Sequence, residues 1–216
     1  MTDKKAIQDS IIKQGILPLF YNDSPEVSIV ITQKLYEAGI RVIEYTNRGG
    51  AAIANFKALK KLDLPGLLLG IGTIKSAQEA ETFEEAGADF LISPLVNHKV
   101  AAVAKQHNLL WIPGCMTPSE MYEAQELGAT LVKLFPANVL GPGFVSAVKD
   151  LFPGLLMMPT GGVEMNQENI SSWFKAGVSA VGMGSKLITK DVIDNEAYDQ
   201  LYTETLRALQ MVASAR

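Results

Sequence analysis

A recurring tetrapeptide constrains the fold of this chain more than any other feature. Glu37-Ala-Gly-Ile40, Glu85-Ala-Gly-Ala88, Glu126-Leu-Gly-Ala129 and Lys175-Ala-Gly-Val178 each close an amphipathic stretch and lead into an apolar run. Gly39, Gly87, Gly128 and Gly177 fit the left-handed residue just past a helix C-terminus. Their gaps of 48, 41 and 49 residues each hold about two strand–helix units. Apolar runs at 16–20, 42–45, 67–72, 90–93, 109–112, 131–135, 155–158 and 180–183 predict eight strands. Helical patterns fall between them, including one from Ser24-Pro25-Glu26, one opened by a Thr117…Glu120 capping box and one over 143–152. A further helix at 4–14 precedes the first strand, and an amphipathic tail starts near Ala197.

Strands alternating with helices predict a parallel α/β fold. The near-regular two-unit period favours closure into a single-domain (β/α)8 TIM barrel over residues 1–216, with an N-terminal helix. A doubly wound sheet is the competing architecture, but the first strand–helix junction has no Gly-x-Gly-x-x-Gly. No linker or low-complexity segment divides the chain, and 48% hydrophobic composition is enough for one core.

One lysine interrupts an otherwise apolar strand, Leu131-Val-Lys-Leu-Phe135. Alternation sets Leu131, Lys133 and Phe135 on one face, and Val132 and Leu134 on the other. If that face points inward, burial disfavours the ammonium form. A neutral buried amine is the nucleophile for a Schiff base with a carbonyl substrate. The alternative is a strand-end lysine that snorkels to solvent.

In a TIM barrel the site lies at the C-terminal ends of the strands. Those positions carry Glu44, Thr46 and Arg48, which period two would set on one side, then Gly70-Ile-Gly-Thr73, Ser93-Pro94, Lys133 with Phe135, Thr160, and Gly182-Met-Gly-Ser185. An amine, a carboxylate, a guanidinium and hydroxyls thus converge on one end. Glu44 with Arg48 could instead be a surface ion pair. Gly161 and Gly162, with Gly184 and Ser185, follow the last two strands, where such barrels bind phosphate through backbone N–H groups.

Other chemistries fit poorly. Net charge is −4 and no basic run appears, so nucleic acid is not an expected partner. No apolar segment is long enough for a transmembrane helix, so no membrane partner is expected either. The single cysteine, Cys115, excludes an intrachain disulfide and fits a reducing, cytoplasmic setting. His98 and His107 lie in no metal-ligand cluster, so neither a metal nor another cofactor is expected. There is no Gly-x-Ser-x-Gly, which argues against a serine hydrolase.

Glu44-x-Thr46-x-Arg48, Gly70-Ile-Gly-Thr73, Ile92-Ser-Pro94, Ile112-Pro-Gly114, Val132-Lys-Leu-Phe-Pro136 and Met158-Pro-Thr-Gly-Gly162 together resemble the 2-keto-3-deoxy-6-phosphogluconate (KDPG) and 4-hydroxy-2-oxoglutarate (KHG) aldolases. The resemblance implies a metal-independent class I aldolase on a TIM barrel, usually a homotrimer, acting on a small phosphorylated keto-acid. It implies Lys133 as the Schiff-base lysine and Glu44 as general acid/base. Arg48 and Thr73 would hold the pyruvate carboxylate, with Pro94 in the loop beside it. Phe135 would pack on the pyruvyl group, Thr160 would contact substrate hydroxyls, and Gly161, Gly162, Gly184 and Ser185 would take the phosphate. Two positions depart from the family pattern. Leu95 follows Pro94 where glycine is frequent, and Asn138 stands where glutamate is frequent. The 6-phosphogalactonate substrate is an alternative, as are a phosphosugar isomerase and a barrel that only binds a phosphometabolite. Trp173 and Phe174 are candidates either for a subunit interface or for packing within the barrel shell.

Overall fold

The computed structural model describes residues 3–216. In chain order the elements are α1 (Lys4–Gln14), β1 (Ile16–Phe20), α2 (Pro25–Glu37), β2 (Val42–Thr46), α3 (Ala52–Leu59), β3 (Leu68–Gly72), α4 (Ala77–Glu85), β4 (Phe90–Ile92), α5 (His98–Gln106), β5 (Leu110–Ile112), β6 (Gly114–Cys115), α6 (Pro118–Glu126), β7 (Leu131–Leu134), α7 (Ala137–Val148), β8 (Leu156–Pro159), α8 (Gln167–Ala176), β9 (Val181–Met183), α9 (Lys190–Asp194) and α10 (Tyr198–Ala215). It is an α/β fold on parallel sheets. One sheet runs β5-β4-β3-β2-β1-β9 and the other β6-β7-β8. A parallel bridge between Thr160 and Gly182 and a bond from Ser179 N–H to Met157 O (2.9 Å) join β8 to β9.

Local chemistry explains most boundaries. Ser24 caps α2, with its hydroxyl accepting from Val27 N–H and Pro25 in the first turn. Thr117 and Glu120 form the expected capping box of α6, and Ser76 with Glu79 forms a second one on α4. Gly39, Gly87, Gly128 and Gly177 all have positive φ, between 88° and 112°. They end helices in the left-handed conformation that the repeat requires.

Three elements differ from expectation. The strand expected at 109–112 is present as β5, but pairing resumes past Pro113 as an additional strand, β6; proline has no N–H to donate to the ladder and divides the pairing into two segments. The helix expected over 143–152 begins earlier, at Ala137, and is broken at Gly141 (φ 70°, ψ 167°) before Pro142. A short helix, α9, lies between the last strand and the tail, where no element was expected.

The strands alternate cleanly between two apolar layers. Leu17, Val42, Phe90, Ile92, Leu110, Ile112, Leu131, Met158 and Ala180 form an inner cluster, closed at one end by Ile7 and Ile11 of α1. Ile43, Tyr45, Leu91, Val132, Leu134 and Val181 point the other way, into the layer between strands and helices. That period of two carries through Val42-Ile43-Glu44 and through Leu131-Val132-Lys133. Glu44 and Lys133 therefore belong to the inner side. Among the described residues no helix is long and apolar enough to cross a membrane.

Candidate active site

Lys133 does not snorkel. It is 5% exposed, and its neighbours on the strand are fully buried. Glu44 is completely buried, and its Oε1 lies 3.6 Å from Lys133 Nζ. That distance is an ion-pair contact longer than a hydrogen bond. Neither carboxylate oxygen of Glu44 has a hydrogen-bond partner. A buried carboxylate with no donor costs more than the roughly 1–3 kcal/mol of a neutral orphan, so native folds rarely keep one without a use for it. The alternative of a surface pair between Glu44 and Arg48 is therefore overturned.

Glycines on the neighbouring strands make room for these groups. Thr46 pairs in register with Gly72 and Glu44 with Gly70. A Cβ on Gly72 would sit 1.8 Å from Glu44 Oε1, so only glycine at that position lets the carboxylate occupy this space. Likewise a Cβ on Gly182 would sit 2.3 Å from Thr160 Oγ1. Thr160 is buried, and its hydroxyl also has no partner. Phe135 is half-buried, with its ring centroid 5.3 Å from Lys133 Nζ.

The β-ladder that sets the alternation does not reach Arg48. The β2 ladder stops at Thr46; Asn47 N–H donates to Gly72 O at 2.8 Å and Arg48 N–H to Thr46 O at 3.0 Å. The chain turns there, and Arg48 is exposed just past the strand end. Thr73 is half-buried at φ 64°. A β-branched side chain rarely adopts that left-handed conformation, and such strain costs of order 1–3 kcal/mol. No sequence pattern foretold it.

Pro94 is half-buried and packs on the next strand: a Cβ on Gly114 would meet Pro94 O at 2.3 Å. Below it Trp111 Nε1–H donates to the buried Ser93 hydroxyl at 3.0 Å. Leu95 is exposed at the same end. Cys115 is buried, and burial pushes its thiol up to about 12, which leaves it inert at neutral pH.

The expected anion loops are adjacent. Gly161 and Gly162 have φ of 84° and 92°. Asn138 packs so closely over Gly162 that an added Cβ would fall 2.4 Å from Asn138 Cβ. The start of α7 is tied to the same loop, with Ala137 N–H donating to Thr160 O (3.0 Å) and Asn138 N–H to Gly161 O (2.7 Å). Gly184 opens a turn whose carbonyl accepts from both Leu187 and Ile188 N–H at 2.9 Å, and Ser185 is exposed on it. Sequence reasoning overlooked the pair Lys186 Nζ–Glu164 Oε2 (3.0 Å), which spans the two loops.

A cavity of about 490 Å³ lies at the opposite end of the strands, by Lys13, Arg41 and Arg216. Its guanidinium groups are engaged by backbone carbonyls of Tyr36, Ile40, Lys13 and Ser179. Trp173 is 2% exposed within the core, so it is not an interface residue on this surface, while Phe174 is half-buried under Arg216.

A lysine amine against a carboxylate in a buried α/β interior supplies the two groups that Schiff-base carbonyl chemistry uses. Residues 7–203 match the aldolase family described as KDPG and KHG aldolase. A 2-dehydro-3-deoxy-phosphogluconate aldolase of Treponema pallidum is 29% identical over 95% of this chain and 97% of its own. A 2-dehydro-3-deoxy-6-phosphogalactonate aldolase of Escherichia coli K12 is 31% identical over 81% of this chain and 85% of its own. Among solved structures, the KDPG aldolase of Legionella pneumophila, with pyruvate captured as a covalent carbinolamine, superposes with a TM-score of 0.84. It is 25% identical over 91% of this chain and 95% of that one. The chain belongs to the KDPG and KHG aldolase family and is an aldolase, a carbon–carbon lyase.

Proposed function

We propose that the chain cleaves 2-keto-3-deoxy-6-phosphogluconate to pyruvate and glyceraldehyde 3-phosphate through a Schiff base on Lys133. The observation that carries this reading is the buried Lys133–Glu44 pair, whose carboxylate has no other partner. Lys133 Nζ adds to the C2 carbonyl, and loss of water gives an iminium. The C3–C4 bond then breaks. Its electron pair moves to C3 and on to the iminium nitrogen as an enamine, while the C4 hydroxyl gives its proton to Glu44 and the aldehyde leaves. Protonation of the enamine at C3 and hydrolysis release pyruvate and the free amine. The same steps convert 4-hydroxy-2-oxoglutarate to pyruvate and glyoxylate.

Arg48 and Thr73 hold the carboxylate, with Pro94 shaping the loop beside them; strain at Thr73 supports its part. Phe135 packs on the pyruvyl carbon, and the unpartnered Thr160 hydroxyl meets a substrate hydroxyl. Gly161, Gly162, Gly184 and Ser185 take the phosphate on main-chain N–H groups. We further assign the described residues, 3–216, to a single (β/α)8 barrel. The supports are the Thr160–Gly182 bridge on one side and, on the other, the continuity of β5 with β6 through Pro113, whose carbonyl accepts from Lys133 N–H at 2.8 Å. The assembly is a homotrimer in the cytoplasm, a setting that suits the unpaired thiol of Cys115.

Incubation with pyruvate and borohydride tests the central step. One reduced pyruvyl adduct per chain, mapped to Lys133, is expected. Lys133→Arg should abolish both labelling and turnover. Glu44→Gln should keep measurable labelling while turnover slows by roughly 10²–10⁴-fold. Labelling at Lys57 or Lys175, or none at all, would sink the assignment. Turnover of the 6-phosphogluconate, 6-phosphogalactonate and hydroxy-oxoglutarate substrates, read by coupled pyruvate detection, ranks the three.

A further inference from the structure

The two loops assigned to phosphate are Pro159–Asn166 and Met183–Thr189. Between them they carry two charged side chains, Glu164 and Lys186, and these pair with each other at 3.0 Å. Glu164 is held in place from behind. Its N–H donates to Asn169 Oδ1 at 2.9 Å, and its carbonyl accepts from Asn166 N–H at 2.8 Å. Lys186 directly follows Ser185 and is about half exposed, with 51% of its side chain accessible. Asn138, the residue packed on Gly162, brings no charge.

Such a half-exposed pair holds together weakly, by about 0–1 kcal/mol, and exchanges readily. A phosphate dianion offers the ammonium more charge and more acceptor oxygens than a single carboxylate. We propose that Lys186 is a specificity-determining residue for the phosphorylated end of the substrate. Glu164 stores it beside the loops, and the incoming phosphate draws it away. Arrival of the phosphate therefore exchanges one salt bridge for another, with no proton or bond transferred. Because Glu164 stays behind with its charge exposed, it opposes any substrate whose phosphate fails to capture the lysine. This inference rests on the phosphate assignment of the two glycine loops.

Steady-state kinetics of the intact chain test it on 2-keto-3-deoxy-6-phosphogluconate and 4-hydroxy-2-oxoglutarate in parallel. Lys186→Ala should raise KM for the phosphorylated substrate, relative to the unphosphorylated one, by roughly tenfold, the scale of one solvent-accessible charge-assisted hydrogen bond. Glu164→Gln should lower that ratio severalfold by freeing the lysine. The double variant, Lys186→Ala with Glu164→Gln, should remain well below Glu164→Gln alone in preference for the phosphorylated substrate. Recovery of the wild-type ratio in the double variant would show that Lys186 only neutralises Glu164, and would overturn the proposal. Gly162→Asp separates the two levels. If it destroys the preference while Lys186→Ala leaves the ratio at the wild-type value, the loops bind phosphate and the lysine does not. If wild type shows no preference for the phosphorylated substrate, the loop assignment falls and the lysine's role falls with it.

Discussion

At the scale of single residues, the site depends on what its neighbours leave empty. Gly72 is the plainest case. Alanine there keeps an ordinary backbone, but its methyl group would stand 1.8 Å from Glu44 Oε1. Gly72→Ala is therefore expected to displace the carboxylate and to reproduce the Glu44→Gln phenotype: pyruvate trapping at Lys133 survives while turnover falls by at least about 10²-fold. Equal loss of trapping would mean that the lysine, not the acid, had moved. Thr73 makes the opposite test. Its left-handed backbone costs of order 1–3 kcal/mol, and glycine's greater freedom in the unfolded chain costs about 0.5–1 kcal/mol. Thr73→Gly should thus hold or raise Tm while weakening pyruvate binding; a lower Tm would show that the threonine is not strained. Lys133 was legible in the sequence because a charged residue in an apolar strand has few explanations. Glu44 was legible only as part of a set, since nothing in Val42-Ile-Glu-Tyr-Thr46 says that Gly72 leaves space across the sheet. Arg48 was less legible, because a period of two holds only while the ladder does, and the ladder ends at Thr46.

At the scale of elements, caps and glycine stops were legible because they are local chemistry. The α6 box gives a pH-dependent prediction. Burial alone would raise the Glu120 carboxyl, but N–H groups of Met116 and Thr117 and the Thr117 hydroxyl bond its charged form and bring it below its ordinary value of 4.5. A carboxyl lowered by folding stabilises the fold above its unfolded value, and that contribution disappears as pH falls through the folded one. Glu120→Gln keeps an amide oxygen for the box but removes the charge, so it should destabilise the protein at pH 7, with the difference from wild type closing in acid. Urea melts at pH 7 and pH 3 measure it, and a gap that stays constant with pH would refute the linkage. The missed elements had non-local causes. The early turn of α7 is held by bonds to Thr160 and Gly161, more than twenty positions away, and α9 is too short for a periodic pattern to register.

At the scale of the whole molecule, the spacing of the four glycines foretold parallel strands and alternating helices. It could not foretell that pairing resumes at Gly114 beyond Pro113, or which surface another copy would cover. A homotrimer should elute in light scattering at three times the 23.3 kDa of one chain; a monomeric mass removes that proposal. Trp173, fully enclosed, is a core residue, so Trp173→Ala should cost about 3–5 kcal/mol of stability instead of splitting an assembly.

The bonds from Ala137 and Asn138 N–H to the carbonyls of Thr160 and Gly161 have a consequence for evolvability. They couple the strand that carries Lys133 to the first glycine loop through main chain alone, so, under the proposed assignment, the span between nucleophile and anion loop behaves as a fixed ruler. Side-chain changes at Asn138, Lys186 or Leu95 can alter what each end of the site grips, but no substitution that preserves those two bonds can lengthen the gauge. Under the proposed assignment, drift among the six-carbon phosphorylated substrates changes stereochemistry at constant length, while the shorter hydroxy-oxoglutarate does not reach the anion loop. A longer sugar acid would demand an insertion between Phe135 and Asn138, not a new side chain.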